Sequence, residues 1–363
     1  MLRKILISFA IVLLLLVLAV GIFLSGGPEF PDATDDIIAQ AIESGPPELV
    51  KGNTGYAKSG DLKIWYEVIQ PPTSQFSHPK GTILLIMGAG ASSMFWSPDW
   101  LQALASEGYR VIRFDNRGTG LSDWVENWQE DQMYSLEDMA NDALAVMDAN
   151  GVKQAHIVGV SMGGMIAQRL AISHADRVTS LVSMSTSAYL LDPALADHAG
   201  NFSLEMLRLT LKYALTGSES SMTKLWMGLV DLMRSDTLQE KDVRNVAYLV
   251  LYEMRQRGGF NQQAMPQHIA AIEVSGSRLD EMRNITCPVL VIHGAADDAV
   301  HIAHAKKYAP LIPNAKTRWL EGEGHIIRES AMPAITDAML KLFESARQRS
   351  QSKNLFQPNL YQN

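Results

Sequence analysis

Ala155-His156-Ile157-Val158-Gly159-Val160-Ser161-Met162-Gly163-Gly164-Met165-Ile166-Ala167-Gln168 decides the fold. A β-branched run ends at a Gly-x-Ser-x-Gly turn, and a helical pattern begins at once. A serine on such a strand-to-helix turn has its hydroxyl pushed out of the sheet, the geometry of a nucleophile elbow. The turn strains the serine backbone, so Gly159, Gly163 and Gly164 must lack Cβ atoms for strand and helix to close. Met162 opens the helix, and its N–H, unpaired within the helix, points at whatever Ser161 attacks.

A chain of 363 residues buries a large core and suggests one domain with an insertion, or two domains. The net charge of −8, without a basic cluster, argues against a nucleic-acid partner. Cys287 is the only cysteine, which excludes an intrachain disulfide and a Cys/His metal set.

The N-terminus is different in kind. Arg3 and Lys4 precede an unbroken apolar run, Ile5 to Leu24. About 20 helical residues span the ~30 Å hydrocarbon core of a bilayer. No Ala-x-Ala cleavage site follows, and acidic residues Glu29, Asp32, Asp35 and Asp36 come before the first base, Lys51. This pattern predicts a retained membrane anchor over a cleaved signal, with the N-terminus cytoplasmic and the rest on the non-cytoplasmic side, as at a bacterial inner membrane facing the periplasm.

Along the chain, residues 26–53 read as a linker with one short acidic amphipathic patch, Asp35 to Ile42. Gly55 to Val68 reads as a hairpin turning at Ser59-Gly60-Asp61, and Gly81 to Met87 as a strand buried on both faces. Further strands are predicted at Arg110–Phe114, Val178–Met184, Pro288–Ile292 and Thr317–Leu320. Ser135 to Asn150 predicts a helix with one apolar face, capped by Ser135 with Asp138 and stopped by Gly151. His301–Leu311 and Pro333–Arg347 also read as helices. Between Ala188 and Arg283 the alternation stops and helical patterns take over, rich in methionine. The order predicts an α/β fold: a doubly wound, mostly parallel sheet with an inserted helical lid and an N-terminal transmembrane helix. The expected boundaries are 1–25 anchor or signal, 26–53 linker, 54–187 and 284–349 the two parts of the core, 188–283 lid, and 350–363 tail.

A serine nucleophile needs a base within hydrogen-bond reach, and the base needs an orienting acid. Two segments after Ser161 fit, each directly after a predicted strand: His293-Gly294-Ala295-Ala296-Asp297-Asp298-Ala299-Val300 and Glu321-Gly322-Glu323-Gly324-His325. Both lie where an open α/β sheet places its ligand site. Asp298 is the alternative to Asp297, and Asp192 is a further candidate. His156 and His293 read as structural, His301 and His304 as a solvated face lacking a third metal ligand, and nothing beside Cys287 argues for a thiolate.

From about Gly55 to Glu344 the chain resembles the α/β-hydrolase fold superfamily of serine-esterase type. Its acid loop, Gly-x-x-Asp-x-x-Val, falls on Gly294, Asp297 and Val300, and its Gly-His pair on Gly324 and His325. The segment Asp-x-Arg-Gly-x-Gly-x-Ser is matched by Asp115, Arg117, Gly118, Gly120 and Ser122. The wording around Met87–Gly90, Ser161–Gln168 and Ser275–Arg278 is similar to bacterial aclacinomycin methylesterase and heroin esterase-like hydrolases. One departure is Met87-Gly88, where the superfamily often carries His-Gly.

The resemblance implies catalytic Ser161, Asp297 and His325, with the Ala89 and Met162 amides as oxyanion hole. It implies hydrolysis of a small-molecule carboxylic ester with an apolar part, through an acyl-enzyme and without cofactor or metal. Alternatives on the same residues are enol-lactone or carbon–carbon bond hydrolysis, or a non-catalytic, membrane-anchored binding protein on this scaffold.

Overall fold

The computed structural model describes residues 18, 20–126, 128, 133–198, 202–214 and 216–355. Among them eight strands form one sheet: β1 (Asn53–Ser59), β2 (Leu62–Ile69), β3 (Thr82–Ile86), β4 (Arg110–Phe114), β5 (Ala155–Val160), β6 (Val178–Met184), β7 (Val289–Gly294) and β8 (Lys316–Leu320). Their order is β1-β2-β4-β3-β5-β6-β7-β8. The hairpin β1–β2 and the β2–β4 pair are antiparallel, and every other pair is parallel. Gly60, at φ 57°, supplies the left-handed turn between β1 and β2.

The helices are α1 (Thr34–Ser44), α2 (Pro98–Ser106), α3 (Leu136–Ala149), α4 (Met162–Ser173), α5 (Phe202–Leu209), α6 (Glu219–Leu232), α7 (Glu240–Gln256), α8 (Ala264–Ser275), α9 (Ile302–Tyr308) and α10 (Met332–Leu355). Ser135 caps α3 in a full capping box with Asp138. Helix α9 stops at Tyr308 and a 3₁₀ turn carries the chain through Ala309–Leu311, where Pro310 has no N–H to give an α-helical ladder.

Strand side chains alternate between two apolar layers. Leu84, Ile86, Ile112, Ile157 and Leu181 pack with Leu136, Met139, Ile166 and Leu170 from α3 and α4. Ile83, Leu85, Val111, Val158 and Val182 pack with Leu101 and Leu104 from α2 and with Met339 and Phe343 from α10. Both faces are thus buried, as a parallel sheet requires.

The chain divides into two compact units, Met1–Pro46 with Gly200–Leu251, and Pro47–Ala199 with Tyr252–Asn363. The second holds the whole sheet, and also α8, which the sequence pattern grouped with the inserted segment. In the first, the expected linker contains α1, whose Ala41 packs with Ala247 and Leu251 of α7. At the other end α10 continues to Leu355, past the boundary drawn at 349; residues 356–363 lie outside the described residues.

The membrane anchor and the non-cytoplasmic, periplasmic location are corrected. Among the described residues no helix is long and apolar enough to cross a membrane. Residues 1–17 and 19 of the expected anchor segment, 1–25, lie outside the described residues.

Behind the loop after β3 the sheet unit buries a charge network. Arg113 donates to Glu67 at 2.6 Å and to the Ser93 and Trp96 carbonyls. Asp115 accepts from the Ser93 N–H at 2.9 Å and hydroxyl at 2.7 Å, from the Leu121 N–H at 2.9 Å, and from Arg257. Arg257 also lies 3.2 Å from Glu253 and stacks 4.2 Å from the Trp65 ring centroid. The Ser92 hydroxyl donates to one Glu253 oxygen at 2.5 Å; the other oxygen is buried with no hydrogen-bond partner.

Burial pushes the Glu253 carboxyl up to about 7, although Arg257 pulls it down. The folded chain therefore holds this proton where the unfolded chain, near 4.3, releases it. Its stabilising contribution is full below about pH 4 and is lost as pH rises towards 7. Glu253→Gln should remove a downward slope of melting temperature between pH 5 and pH 8. Parallel wild-type and E253Q profiles over that range would refute it.

Candidate active site

The elbow forms because backbone replaces side chain at three points. A Cβ on Gly159 would stand 2.1 Å from the Gly163 carbonyl oxygen, and one on Gly163 would stand 2.1 Å from that of Ile86. One on Gly164 would meet the Thr186 side chain at 2.7 Å. Strand β5 and helix α4 close directly on each other, and Ser161 between them takes φ 56° and ψ −126°. That conformation is costly for a residue with a side chain, so the surroundings must hold it. They do so through hydrogen bonds: the Ser161 N–H donates to the Met184 carbonyl at 3.0 Å, and the Thr186 hydroxyl donates to the Ser161 carbonyl at 2.6 Å. Met162 is the first residue of α4, so its N–H belongs to the set that helices leave unpaired.

The loop after β3 lies against this turn. A Cβ on Gly88 would be 3.1 Å from the Ser161 Cβ and 3.6 Å from its Oγ. Asn116 donates to the Met87 carbonyl at 2.9 Å. The Gly90 N–H donates to His268 Nδ1, also at 2.9 Å. The half-buried Ala89 sits between these two anchored peptides.

Asp297 follows β7 and His325 follows β8, and the structure brings them together: His325 Nδ1 is 2.8 Å from Asp297 Oδ2. The other carboxylate oxygen accepts from the Ala299 N–H at 3.0 Å and the Val300 N–H at 2.8 Å. His293 Nε2 adds a contact at 3.2 Å to Asp297 while bonding the Val300 carbonyl at 2.7 Å. Burial by itself would raise the Asp297 carboxyl. The His325 and His293 rings outweigh it and hold the group well below the usual carboxylate range. Gly294 lets the acid and histidine loops meet, since a Cβ there would lie 2.3 Å from the Gly324 carbonyl oxygen. Two backbone bonds stitch the loops, Ala295 N–H to Leu320 O and Ala296 N–H to Glu323 O, both 2.9 Å.

The remaining candidates fall elsewhere. Asp298 is exposed. Asp192 bonds Lys307 and the Ala194 N–H. His156 bonds Ser180 at 2.8 Å inside the core, where burial pushes it down to about 4. His301 caps α9, and His304 bonds Ser187 at 3.0 Å. Among the described residues no group of three or more His, Cys, Asp or Glu could hold a metal. Burial pushes the Cys287 thiol up to about 12. Asp115 and Arg117 are braces: Arg117 grips Asp142 of α3 through two bonds at 2.7 and 2.8 Å. Gly120 must be glycine because a Cβ would stand 2.3 Å from the Asp115 carboxylate.

His268 escaped the sequence reading. It lies 178 residues from Gly90 in the chain and in a helix whose pattern reads simply as inserted and apolar. It brings an imidazole to the loop that begins at Met87.

A model of the alpha/beta hydrolase fold family matches residues 81–330. The chain belongs to this family. It is an α/β-hydrolase enzyme, and its relatives include methylesterases and putative carbamate hydrolases. It is 29% identical over 287 residues to the rhodomycin D methylesterase DauP of Streptomyces sp. strain C5, covering 74% of this chain and 90% of that one. It is 28% identical over 270 residues to the putative non-heme bromoperoxidase BpoC of Mycobacterium tuberculosis, covering 73% and 94%. The enol-lactonase of Burkholderia xenovorans LB400 superposes with TM-score 0.60 at 23% identity, over 80% of this chain and all (100%) of that one. That last likeness concerns the fold.

Gly163→Ala should destabilise the hydrolase by roughly 3 kcal/mol or more, because the clash is with backbone that cannot rotate away. Urea unfolding measures it, and a variant within 0.5 kcal/mol of wild type, on the order of an ordinary surface change, would contradict the geometry.

Proposed function

We propose that this hydrolase cleaves a carboxylic ester with an apolar part through Ser161, His325 and Asp297. The observation that carries this reading is the buried His325–Asp297 hydrogen bond at 2.8 Å, in a chain whose only elbow serine holds the strained φ of 56°. Asp297 accepts at Nδ1, which leaves Nε2 of His325 as the proton-accepting nitrogen.

Ser161 Oγ attacks the ester carbonyl as His325 takes its proton. Asp297 holds the ring and stabilises its charged form. The carbonyl oxygen becomes an oxyanion held by the Ala89 and Met162 amides. His325 returns the proton to the departing alkoxide, giving the alcohol and an acyl-Ser161. Water, deprotonated by His325, then releases the acid and regenerates the serine.

The methylesterase relative favours an ester over the enol-lactone and carbon–carbon alternatives. The segment 188–283 is read as the lid that sets substrate choice, and its part in the sheet unit includes α8. Met265 of α8 lies over the loop after β3: a Cβ on Gly90 would be 2.9 Å from its terminal methyl. We assign Met265 to the wall of the acyl pocket, where a flexible thioether suits apolar groups.

p-Nitrophenyl esters test the chemistry. Ser161→Ala should abolish turnover, and Asp297→Asn should lower kcat by about 10⁴ through the wrong imidazole tautomer. Full turnover by S161A would end the proposal. Met265→Ala should raise kcat/KM for a branched acyl ester relative to acetate by about tenfold, on the order of one or two methylenes. An unchanged ratio would remove Met265 from the pocket wall.

A further inference from the structure

We propose that His268 is a positioning residue that sets the oxyanion donor on the loop after β3, an inference resting on the ester-hydrolase reading above. His268 bridges two loops that are far apart in sequence. Its Nδ1 lies 2.9 Å from the Gly90 nitrogen, and its Nε2 lies 2.9 Å from the Arg117 carbonyl oxygen. A backbone N–H only donates and a carbonyl only accepts. The ring therefore carries its proton on Nε2 and offers its Nδ1 lone pair to Gly90. Only the neutral ring satisfies both partners, since a second ring proton would face the Gly90 N–H. The site favours that form: His268 is fully enclosed, and burial pushes it down to about 4.

The loop it holds has little stiffness of its own. Gly88 and Gly90 flank Ala89, and Gly90 sits at φ +69°, in a region that glycine reaches freely. The Met87 carbonyl is tied down by Asn116 on one side of Ala89, and the Gly90 amide by His268 on the other. Asn116 and Arg117 are consecutive, so both ties lead to one rigid segment. That segment is itself braced by Arg117 on Asp142 and by Asp115 on Ser93 and Leu121. With the Gly90 N–H engaged by His268, the oxyanion role in this proposal falls to the neighbouring Ala89 N–H, held between the two ties.

Helix α8 is firmly fixed for this task. Asn261, just before it, donates to the Gly118 carbonyl at 3.0 Å, and Gln267 donates to that of Val125 at 2.9 Å. Ser275 at its end accepts from the Leu136 N–H at 2.8 Å. Oxyanion donors act by being oriented before charge develops, so loosening the Gly90 tether weakens the transition state more than the bound substrate.

The experiment compares full-length wild type with His268→Leu and His268→Gln. Glutamine carries an amide oxygen for Gly90 and an amide N–H for Arg117, and leucine carries neither. In H268L, the peptide spanning Gly90 should exchange its amide hydrogens at least tenfold faster. With p-nitrophenyl acetate, kcat should fall about ten- to a hundredfold with KM within about twofold, a fraction of the ~10²–10³ for outright loss of a donor. Affinity for an alkyl boronic acid, which forms a tetrahedral adduct on the serine, should fall in step with kcat. H268Q should restore exchange and come within about threefold of wild-type kcat. Should H268L not fold, His268→Asn, which can face Gly90 but cannot reach Arg117, should lose about tenfold in kcat.

Unchanged exchange at Gly90, unchanged kcat in the variants, or an H268Q no better than H268L would each overturn the proposal. A wild type inert to a fluorophosphonate at Ser161 would instead defeat the ester-hydrolase reading, and the exchange comparison would still decide the tether.

Discussion

The close approach of β5 and α4 is the constraint on which the candidate site depends. With Gly159 against the Gly163 carbonyl and Gly163 against that of Ile86, the chain can turn from strand to helix within one residue. That residue is Ser161, and its φ of 56° is the consequence. The strain is carried by β3 and β6, whose packing and hydrogen bonds leave Ser161 no relaxed alternative. The same closeness sets the first residue of α4, and so the Met162 amide, beside the serine.

Asp297 and His325 obey a similar logic two and three strands further along the sheet from β5. Their loops leave adjacent parallel strands, and Gly294 allows backbone-to-backbone contact between them. Two ring nitrogens and two backbone amides converge on the Asp297 carboxylate, so a buried charge is well compensated. A carboxylate held this way stays ionised and keeps the histidine in a single tautomer.

The polar core behind the β3 loop supplies rigidity rather than chemistry. Glu67, Arg113, Asp115, Glu253 and Arg257 are all buried, and their partners include Ser92, Ser93 and the Trp65 ring. Such groups fold only when paired, so they specify one arrangement of the segments they join. Helix α8 joins the same frame through Asn261, Gln267 and His268. These bonds make it a wall of the sheet unit.

Local pattern was enough for the sheet, the elbow, and the acid and histidine loops. Each is written in a short stretch whose period and glycines have a direct steric meaning, such as Gly159-Val160-Ser161-Met162-Gly163. The apolar run at the N-terminus predicts a span, and among the described residues no helix provides one. The membership of α1 with α7, and of α8 with the sheet, depends on which apolar faces meet, and periodicity does not name the partner. The sequence by itself determined that a strained serine would stand at a strand end, with an aspartate and a histidine on later strand ends. The motif spacing already favoured Asp297 over Asp298, but only the tertiary structure made its bond to His325 and decided that His268 grips Gly90. Those choices rest on hydrogen bonds between residues far apart in the chain, whose geometry exists only after the sheet has closed.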